Sequence, residues 1–139
     1  MENNVTKVNF QVPAVYTVET SKAPQAIGPY VQGKIVKGML YASGQIALNP
    51  ENGELVGDSI EDQTYQVLRN VGGILAAAGV GYDQVVKTTC FLKNISDFAA
   101  FNQVYESFFD NEKPSRSCVG VADLPKGALV EVEVVAVVE

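Results

Sequence analysis

Histidine is absent from this 139-residue chain, and arginine occurs only at positions 69 and 116. Without histidine there is no Ser-His-Asp triad, no Cys-His pair and no imidazole metal ligand. Acid–base chemistry must then come from carboxylates, Tyr, Cys, Lys or water. Arg116 stands in KPSRSCVGV, just past a proline and at the start of a predicted strand. On a strand Arg116, Cys118 and Gly120 point to one side. If Val119 and Val121 turn toward the helices, Arg116 takes the opposite face of the sheet. A guanidinium there needs an anion, either a protein carboxylate or a ligand. Arg69 falls mid-helix, too far from Glu61 and Asp62 to pair, and reads as solvated.

Other residues offer fewer constraints. Glu131 and Glu133 share one side of the last strand, the same side that this parity gives Arg116. Either could act as a general base or orient a water, or form an ion pair, and alternation does not choose between them. Cys118 lies close enough to Arg116 for the cation to lower its thiol pKa, or it is a small buried apolar group. Cys90 reads as core. Tyr30 follows the rigid turn of IGPY, and Ser43-Gly44-Gln45 interrupts a strand where backbone can approach closely. Asn102 is the polar interruption in a helix stripe of aromatic residues.

These residues need elements to position them. The first dozen residues are polar and read as a loose tail or edge segment. Strands are predicted over 14–20, around Val31–Ile35, and over 39–47, 85–92, 115–122 and 130–138. The clearest helix spans 58–78, capped by Asp58 or Ser59 and ended by Gly79. Its apolar stripe is Ile60, Thr64, Val67, Val71, Ile74, Leu75 and Ala78. A second helix, capped by Ser96, carries Phe98, Phe101, Tyr105, Phe108 and Phe109 and stops at Pro114. KAPQAIGPY, NPENG and LPKG read as loops or turns. The order predicts one α+β domain over 1–139, with two helices on one face of a mixed sheet.

That arrangement leaves a sheet face uncovered. Val130, Val132, Val134, Ala136 and Val138 share one side of the last strand, and Val135 and Val137 lie on the other with the glutamates. A half-apolar bare face predicts a homo-oligomer. Net charge is -6, and the ten Lys and Arg residues are scattered. Nucleic-acid and anionic-membrane binding are therefore disfavoured. Two distant cysteines predict a reduced, cytoplasmic protein, and no apolar run approaches the ~20 residues of a membrane span.

The segments APQAIGPY, YASGQIALNPENGEL, VVKTTCFLKNISDFAAFNQVYESFF and RSCVGVADLPKGALVEVEVVAV, in that order, resemble the YjgF/RidA family of reactive intermediate imine deaminases. The resemblance covers Ser21 to Val138, and the first twenty residues form an N-terminal extension and first strand outside it. It implies a chorismate-mutase-like two-layer fold and a homotrimer, with the sheets forming a central β-barrel and ligand clefts between subunits. It implies hydrolysis of 2-imino and 2-enamino acids, such as 2-aminoacrylate, to 2-oxo acids and ammonia, without cofactor or metal. Carried over residue by residue, it makes Arg116 the clamp for the substrate carboxylate. Glu131, not Glu133, becomes the group that positions or activates water. Tyr30, Ser43, Gly44, Asn102 and Cys118 become cleft residues, with Cys118 not needed as a nucleophile. Departures from the family lie at DNEKPSRSC, Gly120 and Asp123, and bear on substrate preference. Two other functions fit the same residues: a non-enzymatic binder of small carboxylates, and an endoribonuclease or translation inhibitor. Acidic charge and the absence of histidine weigh against the last.

Overall fold

A computed structural model describes residues 4–9 and 13–139. Seven strands form one sheet: β1 (Asn4–Asn9), β2 (Val15–Glu19), β3 (Gly33–Val36), β4 (Met39–Gln45), β5 (Val85–Leu92), β6 (Ser115–Gly120) and β7 (Val130–Val137). Their order is β1-β2-β3-β4-β7-β5-β6. The β5–β6 pair is parallel and every other pair is antiparallel. Helices α1 (Ile60–Ala77) and α2 (Phe98–Phe108) supply the second layer. Of the first dozen residues, 4–9 form an edge strand paired to β2, and 1–3 and 10–12 lie outside the described residues.

The core lies between helices and sheet because the apolar periods meet there. Val67, Val71, Ile74 and Leu75 of α1 are fully buried against Leu40, Val130, Val132 and Ala136. Ser59 caps α1, its hydroxyl accepting from the Asp62 amide. The second helix departs from expectation at its start. Ser96 lies in a short 3-10 turn, and α2 begins after Asp97 with no side-chain cap. Phe98 is 39% exposed and not core, whereas Phe101, Tyr105 and Phe109 are buried.

The register assigns faces. Val18, Gly33, Ala42, Val134, Thr88 and Arg116 are successive partners across the sheet, and all but Arg116 are buried beneath the helices. The neighbouring row of Lys34, Tyr41, Val135, Lys87 and Ser115 faces the open side. Tyr41 is 49% and Val119 44% exposed there, so the open face is partly apolar. Among the described residues no helix is long and apolar enough to cross a membrane.

Candidate functional site

Arg116 enters β6 directly after the proline that ends the α2 exit, beside Thr88 of β5. Ser115 pins the entry by donating from Oγ to the Val86 carbonyl at 3.0 Å. The guanidinium donates from Nη1 to Asn102 Oδ1 at 2.7 Å. It lies 4.8 Å from the Tyr105 ring centroid, 5.5 Å from Phe98 and 5.9 Å from Phe101. All four partners belong to α2, so Arg116 is on the helix side of the sheet. This reverses the parity argued from Val119. On this edge strand the valine is exposed, and Gly120 takes the packed side, where a methyl would come within 3.2 Å of Ile95 Cβ.

The aromatic side chains under Arg116 are themselves fixed. The Tyr105 and Thr88 hydroxyls are 2.8 Å apart. Burial raises the Tyr105 pKa, more than the Thr88 hydrogen bond and the Arg116 cation lower it. Cys118 lies beside Cys90 on this same side. Burial raises the Cys118 thiol pKa and outweighs the lowering by Arg116. Of the two readings of Cys118, the small apolar group is thus favoured over a thiolate stabilised by the arginine, because desolvation is the larger effect. A hollow of about 370 Å³ beside the guanidinium is lined by Asn102, Tyr105, Glu106, Phe109, Lys113, Pro114 and Arg116. Cys118 is not among its walls. Lys113 is engaged with the Phe109 carbonyl at 3.1 Å. No carboxylate pairs with Arg116 among the described residues.

Glu131 stands on the other face. It is the register partner of Phe91, one row from Cys90, and its neighbours Val130 and Val132 are the buried ones. The expectation that Arg116 and Glu131 share a face is therefore corrected: within one chain the sheet separates them. A second hollow, of about 550 Å³, gathers Tyr30, Ser43, Gly44 and Glu131, with Gln25, Ile27 and Lys126 at its walls. It exists because β4 bulges: Ala42 pairs with Val134 but Gln45 with Val132, leaving one extra residue around Ser43-Gly44. The Glu131 carboxylate rests against Gly44, where an added methyl would overlap it. Burial, then the Glu133 charge, raises the Glu131 pKa. Ser43 is pinned, its Oγ donating to the Val31 carbonyl at 2.6 Å. Tyr30 is 53% exposed at the rim.

The expected site residues thus fall into two groups, Asn102 with Arg116 on one face and Tyr30, Ser43, Gly44 and Glu131 on the other. Sequence reasoning missed Lys126, which adopts φ 57° at the wall of the Glu131 hollow. The LPKG turn was its only signal. It also missed Gln32, 4% exposed at the wall of that hollow.

The geometry is that of a small α+β protein with, among the described residues, a cation without a carboxylate partner in one hollow and a half-buried carboxylate in another. The comparisons name the class. The family model described as Endoribonuclease L-PSP matches residues 20–138. Human 2-iminobutanoate/2-iminopropanoate deaminase is 44% identical over 120 residues, 86% of this chain and 88% of that protein. A Lactococcus lactis protein named "Putative regulator AldR" is 64% identical over 122 residues, 88% of this chain and 97% of that one. The solved structure of Escherichia coli TdcF with bound serine is 45% identical with a TM-score of 0.83, covering 87% of this chain and 97% of that chain. The chain belongs to the YjgF/RidA family.

Proposed function

We propose that the protein hydrolyses reactive 2-imino and 2-enamino acids, 2-aminoacrylate among them, to 2-oxo acids and ammonia. The observation that carries this is the half-buried Arg116, which has one hydrogen bond to an amide oxygen and no carboxylate among the described residues. Four N–H donors remain for a substrate carboxylate, and a planar guanidinium suits bidentate capture. Glu131 supplies the second function. Its raised pKa brings a carboxylate nearer the working pH of a general base.

The reaction is simple to balance. Protonation of an enamine at its β-carbon gives the imine. Glu131 accepts a proton from water as the water oxygen adds to C2. The carbinolamine nitrogen then takes that proton from Glu131 and leaves as ammonia, while the C2 hydroxyl gives its remaining proton back to Glu131 and becomes the carbonyl of the 2-oxo acid. A protonated imine carbon is already electrophilic, so orientation and one base suffice.

The two groups must meet, and in one chain they lie on opposite faces. A second copy brings Arg116 of one chain to Glu131 of its neighbour. We read the assembly as a homotrimer whose open, partly apolar faces form a central β-barrel. Tyr41 and Val119 on that face support this reading. The free thiols of Cys90 and Cys118 agree with a reducing cytoplasm.

A second reading has its own support. The name of the Lactococcus lactis relative points to regulation, and the same cleft could bind a 2-oxo acid without turnover. Adding wild-type, Arg116→Ala and Glu131→Ala proteins to a dehydratase that generates 2-aminoacrylate separates the two. A deaminase speeds pyruvate release and loses this in both variants. If wild type adds nothing to the spontaneous rate while still binding the carboxylate through Arg116, the protein is a binder.

A further inference from the structure

The groups around Glu131 are tied together by Gln32, a wall residue of that hollow whose own polar atoms are all turned to the protein backbone. The Gln32 side chain is buried and fully engaged. Its Oε1 accepts from the Thr20 amide at 2.7 Å. Its Nε2 hydrogens are shared among the carbonyls of Thr20 at 3.0 Å, Ala23 at 3.2 Å and Pro24 at 2.8 Å. The backbone of the same segment reaches the other way. The Gln32 carbonyl accepts from the Ser43 amide at 2.9 Å, and the Val31 carbonyl accepts from Ser43 Oγ at 2.6 Å. One residue therefore ties the 20–24 loop to Ser43, next to the Gly44 on which the Glu131 carboxylate rests. Pro24, Gln32 and Ser43, all on this linkage, line the same hollow.

We propose that Gln32 is a positioning residue for the hydrolytic step. Its amide sets where Ser43-Gly44 holds Glu131, and hence where the attacking water sits. The inference rests on the deaminase reading. It makes a separation that a merely stabilising residue would not. Arg116 is fixed by Asn102 and the aromatic rings of α2, not by this linkage, so carboxylate capture should be left intact while turnover falls. Gln32→Met keeps the length of the side chain and removes every one of its hydrogen bonds. Tyr82→Phe is the control, since it removes a part-buried hydrogen bond to the Leu68 carbonyl that has no part in the Gln32 linkage, and keeps the ring packed on Phe109.

The full chain, in all three forms, would be assayed for pyruvate release with dehydratase-generated 2-aminoacrylate, and for serine binding by calorimetry. Gln32→Met should lose on the order of ten- to a hundredfold in kcat, the cost of misplacing a reacting group by about an ångström. Its serine Kd should stay within about threefold of wild type, and Tyr82→Phe within about twofold in both quantities. A folded Gln32→Met with wild-type kcat, or an equal loss in Tyr82→Phe, overturns the proposal. If Gln32→Met does not fold, Gln32→Asn, which keeps the amide but withdraws it by one methylene, is judged by the same outcomes. If wild type itself makes no pyruvate above background, the deaminase reading fails separately, and hydrogen exchange at the Ser43 amide decides about Gln32. Exchange about tenfold faster or more in Gln32→Met than in Tyr82→Phe upholds the positioning role, and equal exchange refutes it.

Discussion

Arg116 and Glu131 lie on opposite faces of one sheet, so two inactive variants should repair each other when their chains mix. On the proposed reading, Arg116→Ala removes two charge-assisted hydrogen bonds to the substrate carboxylate, each worth about 1.5–3 kcal/mol. The loss is roughly a hundred- to ten-thousandfold in kcat/KM, so that homogeneous oligomer should sit near background. Glu131→Ala removes the base and should do the same. In a mixed oligomer each site draws its arginine from one chain and its glutamate from a neighbour. With equal and random mixing, about one half of the arginine donors and one half of the glutamate donors are intact. About one quarter of all sites then regain both groups at wild-type rate, which is about one site in three of each mixed trimer once the homogeneous ones are removed. Co-expression under two affinity tags and sequential purification isolates the mixed species, and pyruvate release from 2-aminoacrylate reads it. Activity near one third of wild type supports the split site. A mixed species no more active than its parents would mean that one chain supplies both groups, and the argument from sheet register would be wrong.

Further outcomes follow from the same geometry. Arg116→Lys retains the charge but loses the fork and the stacking on Tyr105, and should lower kcat/KM by roughly ten- to a hundredfold; kinetics indistinguishable from wild type would show that a point charge is enough. Because the Glu133 charge raises the Glu131 pKa, Glu133→Gln should move the acid limb of the kcat profile to lower pH. An unmoved limb would separate Glu131 from the titration. Glu131 holds its proton more firmly folded than unfolded, so its ionised form opposes folding above the folded pKa, and this penalty disappears as pH falls to the unfolded carboxylate value near about 4.3. Glu131→Gln should accordingly raise Tm at neutral pH, with the gain shrinking toward acid pH, and a constant gain would contradict the burial argument. Val119→Asp places a charge on the open face and removes a contact worth about 1.5–3 kcal/mol per buried valine, so sedimentation should show dissociation. A wild-type protein already monomeric at micromolar concentration would remove the covered-face reading.

Much of the fold was legible because its elements bury one face along an unbroken period. The α1 stripe from Ile60 to Leu75 is buried as its 3.6-residue spacing requires, and β5 spans residues 85–92 as its β-branched run suggested. In β7 the alternation from Val130 to Ala136 marks the core side without ambiguity. The Asp97 start of α2 was not legible, because a 3-10 turn displaced the helix past the serine suited to cap it. Gln32 was not legible either, since a glutamine beside a loop reads as surface until four partners surround it.

The sequence by itself determined which residues could do the chemistry: without histidine, a lone strand arginine and an alternating glutamate were left. It also determined that Arg116, Cys118 and Gly120 share a side, because parity is local. Only the tertiary structure decided which side that is. On an edge strand both faces are half-wet, so valine no longer marks the core. The choice falls to Asn102 and three aromatic rings of α2 under the guanidinium, and to Ile95 against Gly120. That long-range packing set Arg116 and Glu131 on opposite faces.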